Sequence, residues 1–232
     1  MRRALAVFML VGTTAALVVI VRVPEPVAPP RVQMDPPTPT ATATATPRPR
    51  PRRLPKVAWR SSSPLGTPTS GRLRRGVRLP SRGAHFATWD PVRKRTPNRW
   101  WRRYGTDDLV RVLLRVTGQF GRAHPRAPRV LIGDLSRPHG GDFGRRYGPL
   151  GHVSHQNGLD ADVYFPRRDR RLRAPRTPAQ VDRRLAQDLV DRFVRAGARL
   201  VLVGPSLGLR GPRGVVMPYP HHDDHVHVRL NG

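Results

Sequence analysis

Polar and apolar residues alternate strictly near the C-terminal end of the chain, and two of the polar positions are histidines. The order from His225 to Leu230 is His-Val-His-Val-Arg-Leu. Successive side chains of a β-strand point to opposite faces, so His225, His227 and Arg229 would share one face while the aliphatic residues pack on the other. The pattern predicts a strand that presents two imidazoles rigidly in front of an apolar core.

A second segment combines histidines with the same alternation. After His155, Gly158 permits a sharp turn, and the strand that follows has Asp160, Asp162 and Tyr164 on one face. The turn lets His155 fold back toward Asp162. These two residues and one histidine of the terminal strand would then form a set of two imidazoles and one carboxylate.

Such a set is typical of a catalytic zinc site, in which three protein ligands leave a position for water. The chain contains no cysteine, which excludes a closed structural site built on thiolates. Six of the nine histidines lie in the two short clusters, so isolated buried histidines do not explain the pattern. A metal-free histidine network or a pH-sensitive switch uses the same residue types and is the alternative that the pattern leaves open.

Two longer segments have apolar residues at helical spacing. The first follows Thr106, a capping residue, and should end near Gly121. The second should start at Thr177-Pro178, with proline in its first turn, and stop at Gly197.

Two short apolar runs, residues 129–133 and 200–203, predict buried strands. Because helices and strands occur without strict βαβ alternation, the predicted fold class is α+β. We expect one small domain, residues 85–232, with a central antiparallel sheet flanked by helices. Its core should include the aromatic residues Trp89, Trp100, Trp101, Phe120, Phe143 and Phe165.

The residues before this domain have a different composition. Residues 4–21 carry no charge and are mostly apolar, which predicts a membrane anchor or a signal segment within residues 1–22. An uncleaved anchor is favoured because no cleavage site of small residues is evident. Residues 23–84 are rich in proline and arginine and predict a disordered linker with a loosely structured lead-in.

The formal net charge is +28, and all basic residues except Lys56 and Lys94 are arginine. Such a charge indicates an anionic partner, and both cell-wall polymers and nucleic acid are anionic. No nucleic-acid-binding motif is visible, and an exported chain does not meet nucleic acid, so we expect no nucleic-acid partner.

Three segments together resemble the penicillin-insensitive murein endopeptidases, over roughly residues 85–232. They are residues 133–141, 151–162 and 222–230, and they reproduce a pattern of His, six residues, Asp and a later His-x-His. That family belongs to a wider group of zinc peptidases that includes lysostaphin-type, D-alanyl-D-alanine carboxypeptidase and hedgehog-type domains. The resemblance implies a zinc-dependent endopeptidase that cleaves peptidoglycan cross-links at D-alanyl bonds, with zinc held by His155, Asp162 and His227.

The resemblance also implies that His225 and His222 lie near the reacting carbonyl, and the chemistry of the neighbouring residues suggests further roles. His225 would activate water or stabilise the oxyanion, with His222 and His152 as further candidates for this catalytic work. Carboxylates that orient the imidazoles would come from Asp160 and Asp224, although both also suit turns bonded to the backbone.

Arg137, in the segment 133–141, would hold a substrate carboxylate by a bidentate pair. The alternative for Arg137 is a structural arginine that donates to loop carbonyls.

The expected partners are peptidoglycan peptide stems, anionic wall polymers and the membrane through the N-terminal segment. The expected location is extracytoplasmic, in the periplasm or cell-wall space, or secreted if the segment is cleaved. Two other functions stay open: a noncatalytic, metal-containing wall-binding module, and a D,D- or L,D-carboxypeptidase of the same group.

Overall fold

The computed structural model describes residues 56–147 and 151–232, and these form ten strands and two α-helices. The predicted anchor or signal segment 1–22 and the predicted linker up to residue 55 lie outside the described residues. Among the described helices, none combines the length and apolar character needed to cross a membrane. The strands are β1 (Ser63–Thr67), β2 (Ser70–Arg74), β3 (Val77–Arg78), β4 (Phe86–Thr88), β5 (Tyr104–Gly105), β6 (Val130–Ile132), β7 (Asp160–Tyr164), β8 (Leu200–Val203), β9 (Val216–Pro218) and β10 (His225–Arg229); the helices are α1 (Asp107–Ala123) and α2 (Arg183–Arg195).

Six strands form the main sheet of the described region, in the order β4-β6-β7-β10-β8-β9. The four strands in its middle pair antiparallel, as predicted, while β4 pairs with β6 and β9 with β8 in parallel. The sheet is therefore mixed, with an antiparallel centre and a parallel pair at each edge. The fold class, α+β, agrees with the prediction.

The strand β10 pairs with β7 along its whole length, and the register places His227 opposite Asp162. Between the polar residues of β10, Val226 and Val228 are fully buried. They pack with α1 and α2 in one apolar core on the back of the sheet. Both helices therefore lie against one face, and the opposite face carries the polar residues of β7 and β10.

The helix α1 forms as its sequence predicts. The Thr106 hydroxyl accepts a hydrogen bond from the backbone N–H of Leu109, and the predicted apolar positions are buried. The helix continues two residues past Gly121 and ends at Ala123.

The helix α2 begins later than predicted. Residues Pro178–Gln180 form a separate 3-10 turn, and Val181 has an extended backbone that bridges to Arg167. The true N-cap is Asp182, whose carboxylate accepts from the N–H of Leu185 at 3.1 Å. Proline suits the first turn of either helix type, so the pattern alone did not separate the two.

Part of the predicted lead-in belongs to the folded domain. The hairpin of β1 and β2 and the strand β3 lie before residue 85, and β3 pairs with β5 of the predicted domain. Beside His155, the N–H of Gln156 donates to the Pro68 carbonyl at the hairpin tip, at 3.0 Å. These strands are short and show little apolar alternation, so the periodicity of the sequence did not predict them. The folded region therefore starts well before residue 85.

The aromatic core differs from expectation at one residue. Trp100 is 55% exposed and contacts Tyr104 edge-on, whereas Trp101 is half-buried. The other four, Trp89, Phe120, Phe143 and Phe165, are buried.

A carboxylate at the start of α1 ties the lead-in to the domain. Asp107 accepts hydrogen bonds from the N–H and the hydroxyl of Ser62 and from the N–H of Arg60. Burial raises the pKa of Asp107, but the hydrogen bonds from Ser62 and Arg60 outweigh this effect and bring the pKa below its usual value.

We expect Asp107→Ala to lower the free energy of unfolding by about 1–3 kcal/mol, because hydrogen bonds to an ionised group are lost. The adjacent Asp108→Ala is the matched control: it occupies the same first turn of α1 and should change stability by less than about 0.5 kcal/mol. Since the folded pKa of Asp107 is lowered, its contribution is present above the unfolded value of about 3.9 and is lost as the pH falls through the folded pKa. Urea denaturation at pH 7 and at pH 3 measures both effects; equal stability of the two variants at pH 7 would contradict them.

Candidate functional site

Three polar atoms converge on the open face of the main sheet. His155 Nε2 lies 3.3 Å from Asp162 Oδ1 and 3.2 Å from His227 Nδ1, and the last two atoms are 3.1 Å apart. Asp162 and His227 come from the paired strands β7 and β10. His155 comes from the loop before β7, where it has a φ of +68° that is uncommon for a residue other than glycine. The structure thus brings together the three residues that the sequence predicted as metal ligands.

The spacing of these atoms fits a small metal ion. Ligand atoms at about 2.0–2.1 Å from a tetrahedral zinc ion lie roughly 3.3 Å from one another. All three residues are buried, which limits their freedom to relax apart. Two imidazole nitrogens and one carboxylate oxygen are a donor set that zinc accepts.

Hydrogen bonds on the far side of each imidazole direct a lone pair to this centre. His155 donates from Nδ1 to the Leu135 carbonyl at 2.7 Å, so Nε2 faces the centre. His227 donates from Nε2 to Asp160 Oδ1 at 3.0 Å, so Nδ1 faces the centre. Partners of this kind fix the tautomer and the ring orientation of metal-binding histidines.

Asp160 also has two other hydrogen bonds that hold it in place. It accepts from Arg229 Nε at 2.6 Å and from the N–H of His155 at 3.1 Å. Burial raises the pKa of Asp160, but the hydrogen bond from His227 and the nearby cationic groups lower it to about 2. Asp160 is therefore ionised at neutral pH and can hold the proton of His227 Nε2 in place.

The charges of the centre depend on one another. Burial raises the pKa of Asp162, but the attraction of His155 and His225 holds it well below its usual range. Burial lowers the pKa of His227, but hydrogen bonds to Asp160 and Asp162 raise it to about 9. The centre thus places an ionised carboxylate next to an imidazole that readily accepts a proton.

A third imidazole, His152, borders the same centre. Its Nδ1 lies 3.8 Å from Asp162 Oδ2, and its ring stacks on Phe143 at 5.0 Å between ring centres. Ligand atoms of His152, His155 and Asp162 lie within 4.8 Å of one another, so these residues form a second possible metal-binding set. The set with His227 has the shorter distances, and we favour it for that reason.

The orientation of His152 depends on a buried ion pair that the sequence pattern did not reveal. His152 Nε2 donates to Asp134 Oδ2 at 2.9 Å. The same carboxylate forms a bidentate pair with Arg102, with 2.6 Å between Arg102 Nε and Asp134 Oδ1, and accepts from Asn98 Nδ2 at 2.9 Å. The guanidinium of Arg102 lies over the rings of Trp101 and Phe143.

Arg102 stands in the run Arg-Trp-Trp-Arg-Arg, whose composition suggests an exposed basic patch, yet its side chain is buried. The position of Asp134, directly after a buried strand, was the one available signal for this network. Burial raises the pKa of Asp134, but the hydrogen bonds from Arg102 and His152 lower it to about 2.

His225, the other histidine of β10, faces the centre but lies farther from it than the three proposed ligands. Its Nδ1 donates to Asp224 Oδ1 at 2.6 Å, which leaves Nε2 toward Asp162 Oδ1 at 3.8 Å. Burial lowers the pKa of His225, but the attraction of Asp162 and Asp224 raises it above its usual value. His225 can therefore hold or release a proton next to the centre.

His222 packs against His225, with 4.7 Å between the ring centres, and bonds the Pro220 carbonyl through Nδ1. Burial and the neighbouring His225 lower its pKa to about 4. His222 is thus a neutral imidazole at the edge of the site.

Arg137 contacts two residues that follow it closely in the chain. Its Nη1 donates to the Asp142 carbonyl at 2.8 Å, and its guanidinium lies 4.7 Å from the ring centre of Tyr147. These contacts fit the alternative, a structural arginine that bonds loop carbonyls.

An open cleft of about 1060 Å³ runs over the centre. Its lining includes the histidines of both clusters together with Trp89, Tyr164, Met217 and Tyr219. A cleft of this size accommodates an extended peptide substrate, and clefts that combine apolar walls with a few polar groups are typical of ligand sites.

The sequence of this chain is similar to that of one known protein family. A family model described as penicillin-insensitive murein endopeptidase matches residues 64–199, which is more than half of the chain. A penicillin-insensitive murein endopeptidase of Haemophilus influenzae is 29% identical over 195 residues, covering 73% of this chain and 63% of that protein.

Proteins of the same name from Escherichia coli O157:H7 and Salmonella arizonae are 34% and 41% identical over 132 and 95 residues. These matches cover 57% and 39% of this chain, and 42% and 29% of the two relatives. The chain therefore spans less than two thirds of the length of these relatives.

The two possible metal-binding sets differ in one residue, so single substitutions separate them. We expect His227→Ala to weaken zinc binding by more than about 100-fold and His152→Ala to weaken it less, because only His227 Nδ1 lies within 3.3 Å of both other ligand atoms. Asp162→Ala, which damages both sets, should lose the metal entirely, and His139→Ala, an exposed histidine, is the control. Titration against a zinc-sensitive dye measures the affinities; a greater loss in His152→Ala than in His227→Ala would favour the other set.

Proposed function

The chain belongs to the penicillin-insensitive murein endopeptidase family, and we propose that it is a zinc-dependent peptidoglycan hydrolase that cleaves peptide cross-links at D-alanyl bonds. The observation that carries the proposal is the convergence of His155, Asp162 and His227 at distances of 3.1–3.3 Å in an open cleft. A structural zinc site has four protein ligands and is closed to solvent, whereas this arrangement has three and faces a cleft.

In this proposal zinc is held by His155 Nε2, His227 Nδ1 and Asp162 Oδ1. When bound, the ion would supply Lewis-acid chemistry, lowering the pKa of water toward 7 and polarising a carbonyl group. The hydrogen bonds from His155 to Leu135 and from His227 to Asp160 hold the two imidazoles in the required tautomers.

His225 is the residue best placed for proton transfer. Its Nε2 faces the centre, and Asp224 holds the proton on Nδ1, so Nε2 can take a proton from the nucleophile and later give it to the leaving amine. Its protonated form would also stabilise negative charge that develops on the scissile carbonyl oxygen.

His222 and His152 also line the cleft. A neutral His222 can accept a hydrogen bond from the substrate. His152, fixed by Asp134, presents Nδ1 next to Asp162 and can hold either the nucleophile or the substrate in line. The buried pair of Arg102 and Asp134 would affect the reaction only by orienting His152.

The family and the size of the cleft support peptidoglycan peptide stems as the substrate class. The cleft of about 1060 Å³ has room for a peptide cross-link. We propose an extracytoplasmic location for the domain, with the apolar N-terminal segment as tether and residues 23–56 as spacer.

The roles within the terminal His-x-His pair can be separated. His225→Ala should keep zinc within about twofold of the unchanged protein and lower kcat by about 100-fold or more, since general acid–base groups contribute about 10²–10⁴. His227→Ala should lose both zinc and activity. If His225→Ala emptied the site, the two roles would be reversed.

Cleavage itself is tested on purified sacculi. We expect the domain to release cross-link-cleaved muropeptides, identified by mass, and a chelator to stop the release until zinc is restored. Release of single terminal D-alanine residues alone would show a carboxypeptidase. Binding to sacculi without any release, in protein loaded with zinc, would show a wall-binding module.

A further inference from the structure

Five cationic side chains line the cleft, and two of them are neutralised within the protein. Arg102 pairs with Asp134, and Arg229 pairs with Asp160. The other three, Lys94, Arg173 and Arg176, make no ion pair with any carboxylate of residues 56–147 and 151–232. They are exposed and are called here the cationic patch.

The loop that carries Arg173 and Arg176 is held firmly at its base. Arg167 pairs with Asp169 and donates from Nη1 to Gln180 Oε1 at 2.6 Å. The same Gln180 oxygen accepts from the N–H of Arg176 at 2.8 Å. The backbone around the two arginines is therefore ordered, and their side chains project from a fixed support.

Packing directs this loop toward the cleft. Between the two arginines, Ala174 is buried and packs in a small apolar cluster with Trp89 and Tyr164. Lys94 follows Trp89 on the neighbouring loop, where Asp90 accepts from two backbone N–H groups and pairs with Arg99. Two braced loops thus present three cations to one region of the cleft.

Aromatic residues connect the cationic patch to the proposed reacting centre. The Tyr164 ring is 5.5 Å from the His225 ring, and the Trp89 ring is 6.3 Å from the Tyr164 ring. Ala174, between the two arginines, packs with Trp89 and Tyr164. A peptide stem that extends from the scissile bond along Tyr164 and Trp89 would therefore bring its charged groups toward the patch.

We propose that Lys94, Arg173 and Arg176 form a subsite that binds a free carboxylate of the peptide stem and so selects carboxylate-bearing over amidated stems. Guanidinium groups bind carboxylates through two parallel hydrogen bonds, and such charge-assisted bonds are stronger than neutral ones. This inference rests on the proposed function, because it assigns a position in the same cleft.

The test compares soluble cross-linked muropeptide dimers that have free carboxylates with the same dimers after amidation. The double variant Arg173→Gln/Arg176→Gln should raise KM for the free-carboxylate dimer by about 10-fold or more, with kcat and zinc content unchanged. The unchanged protein should show a similar rise in KM on the amidated dimer, and the double variant should no longer distinguish the two substrates. Arg122→Gln is the matched control, because Arg122 is an exposed arginine on α1, behind the sheet.

Three outcomes would overturn the subsite. The first is an unchanged KM in the double variant, and the second is an equal rise in KM in Arg122→Gln. The third is a loss of activity that occurs only on intact sacculi, which would assign the patch to anionic wall polymers. If the unchanged, zinc-loaded protein cleaved neither dimer, the proposed function would fail separately. Calorimetric binding of both dimers to His227→Ala protein, with and without the arginine substitutions, would still decide whether the patch recognises carboxylates.

Discussion

The antiparallel pairing of β7 with β10 is the constraint on which the site depends. It sets His227 opposite Asp162, and the next pair on the same face sets His225 opposite Tyr164. A slip of one residue would turn both histidines into the core and the valines outward. The fully buried Val226 and Val228 make that slip costly, so the apolar face of β10 holds the imidazoles in register.

Buried charges around the centre come in compensated sets. Asp134 faces Arg102, and Asp160 faces Arg229, so the two buried carboxylates that orient His152 and His227 are each held by an arginine. Removing one partner from such a pair leaves an uncompensated buried charge, which costs more than the pair contributes. The two pairs therefore act mainly by orienting the imidazoles of His152 and His227. The cationic patch differs from them because its charges have no carboxylate partner among the described residues and face the cleft.

The strands that carry the site could be predicted closely from alternation, since β7 and β10 begin at the predicted residues. The predicted ligands come together because the turn at Gly158 and the pairing of the two strands follow from local sequence. The network of Arg102, Asp134 and Asn98 could not be predicted, because its members are far apart in the chain and their pairing depends on tertiary packing. The start of α2 and the strands before residue 85 were missed for a different reason: short elements carry too few residues for a periodic signal.

The hairpin of β1 and β2 changes where the smallest intact domain begins. Its tip bonds the loop beside His155, and Gly71 approaches Asn157 so closely that an added Cβ would lie 2.9 Å from the Asn157 Cβ. A fragment cut at residue 85 would keep every proposed ligand but lose the frame that holds their loop. Each binding event would then have to order that loop, and part of the metal affinity would be spent on conformational entropy. The boundary of the folded domain is thus set by preorganisation of this loop, and the residues that define it lie outside the proposed ligand set.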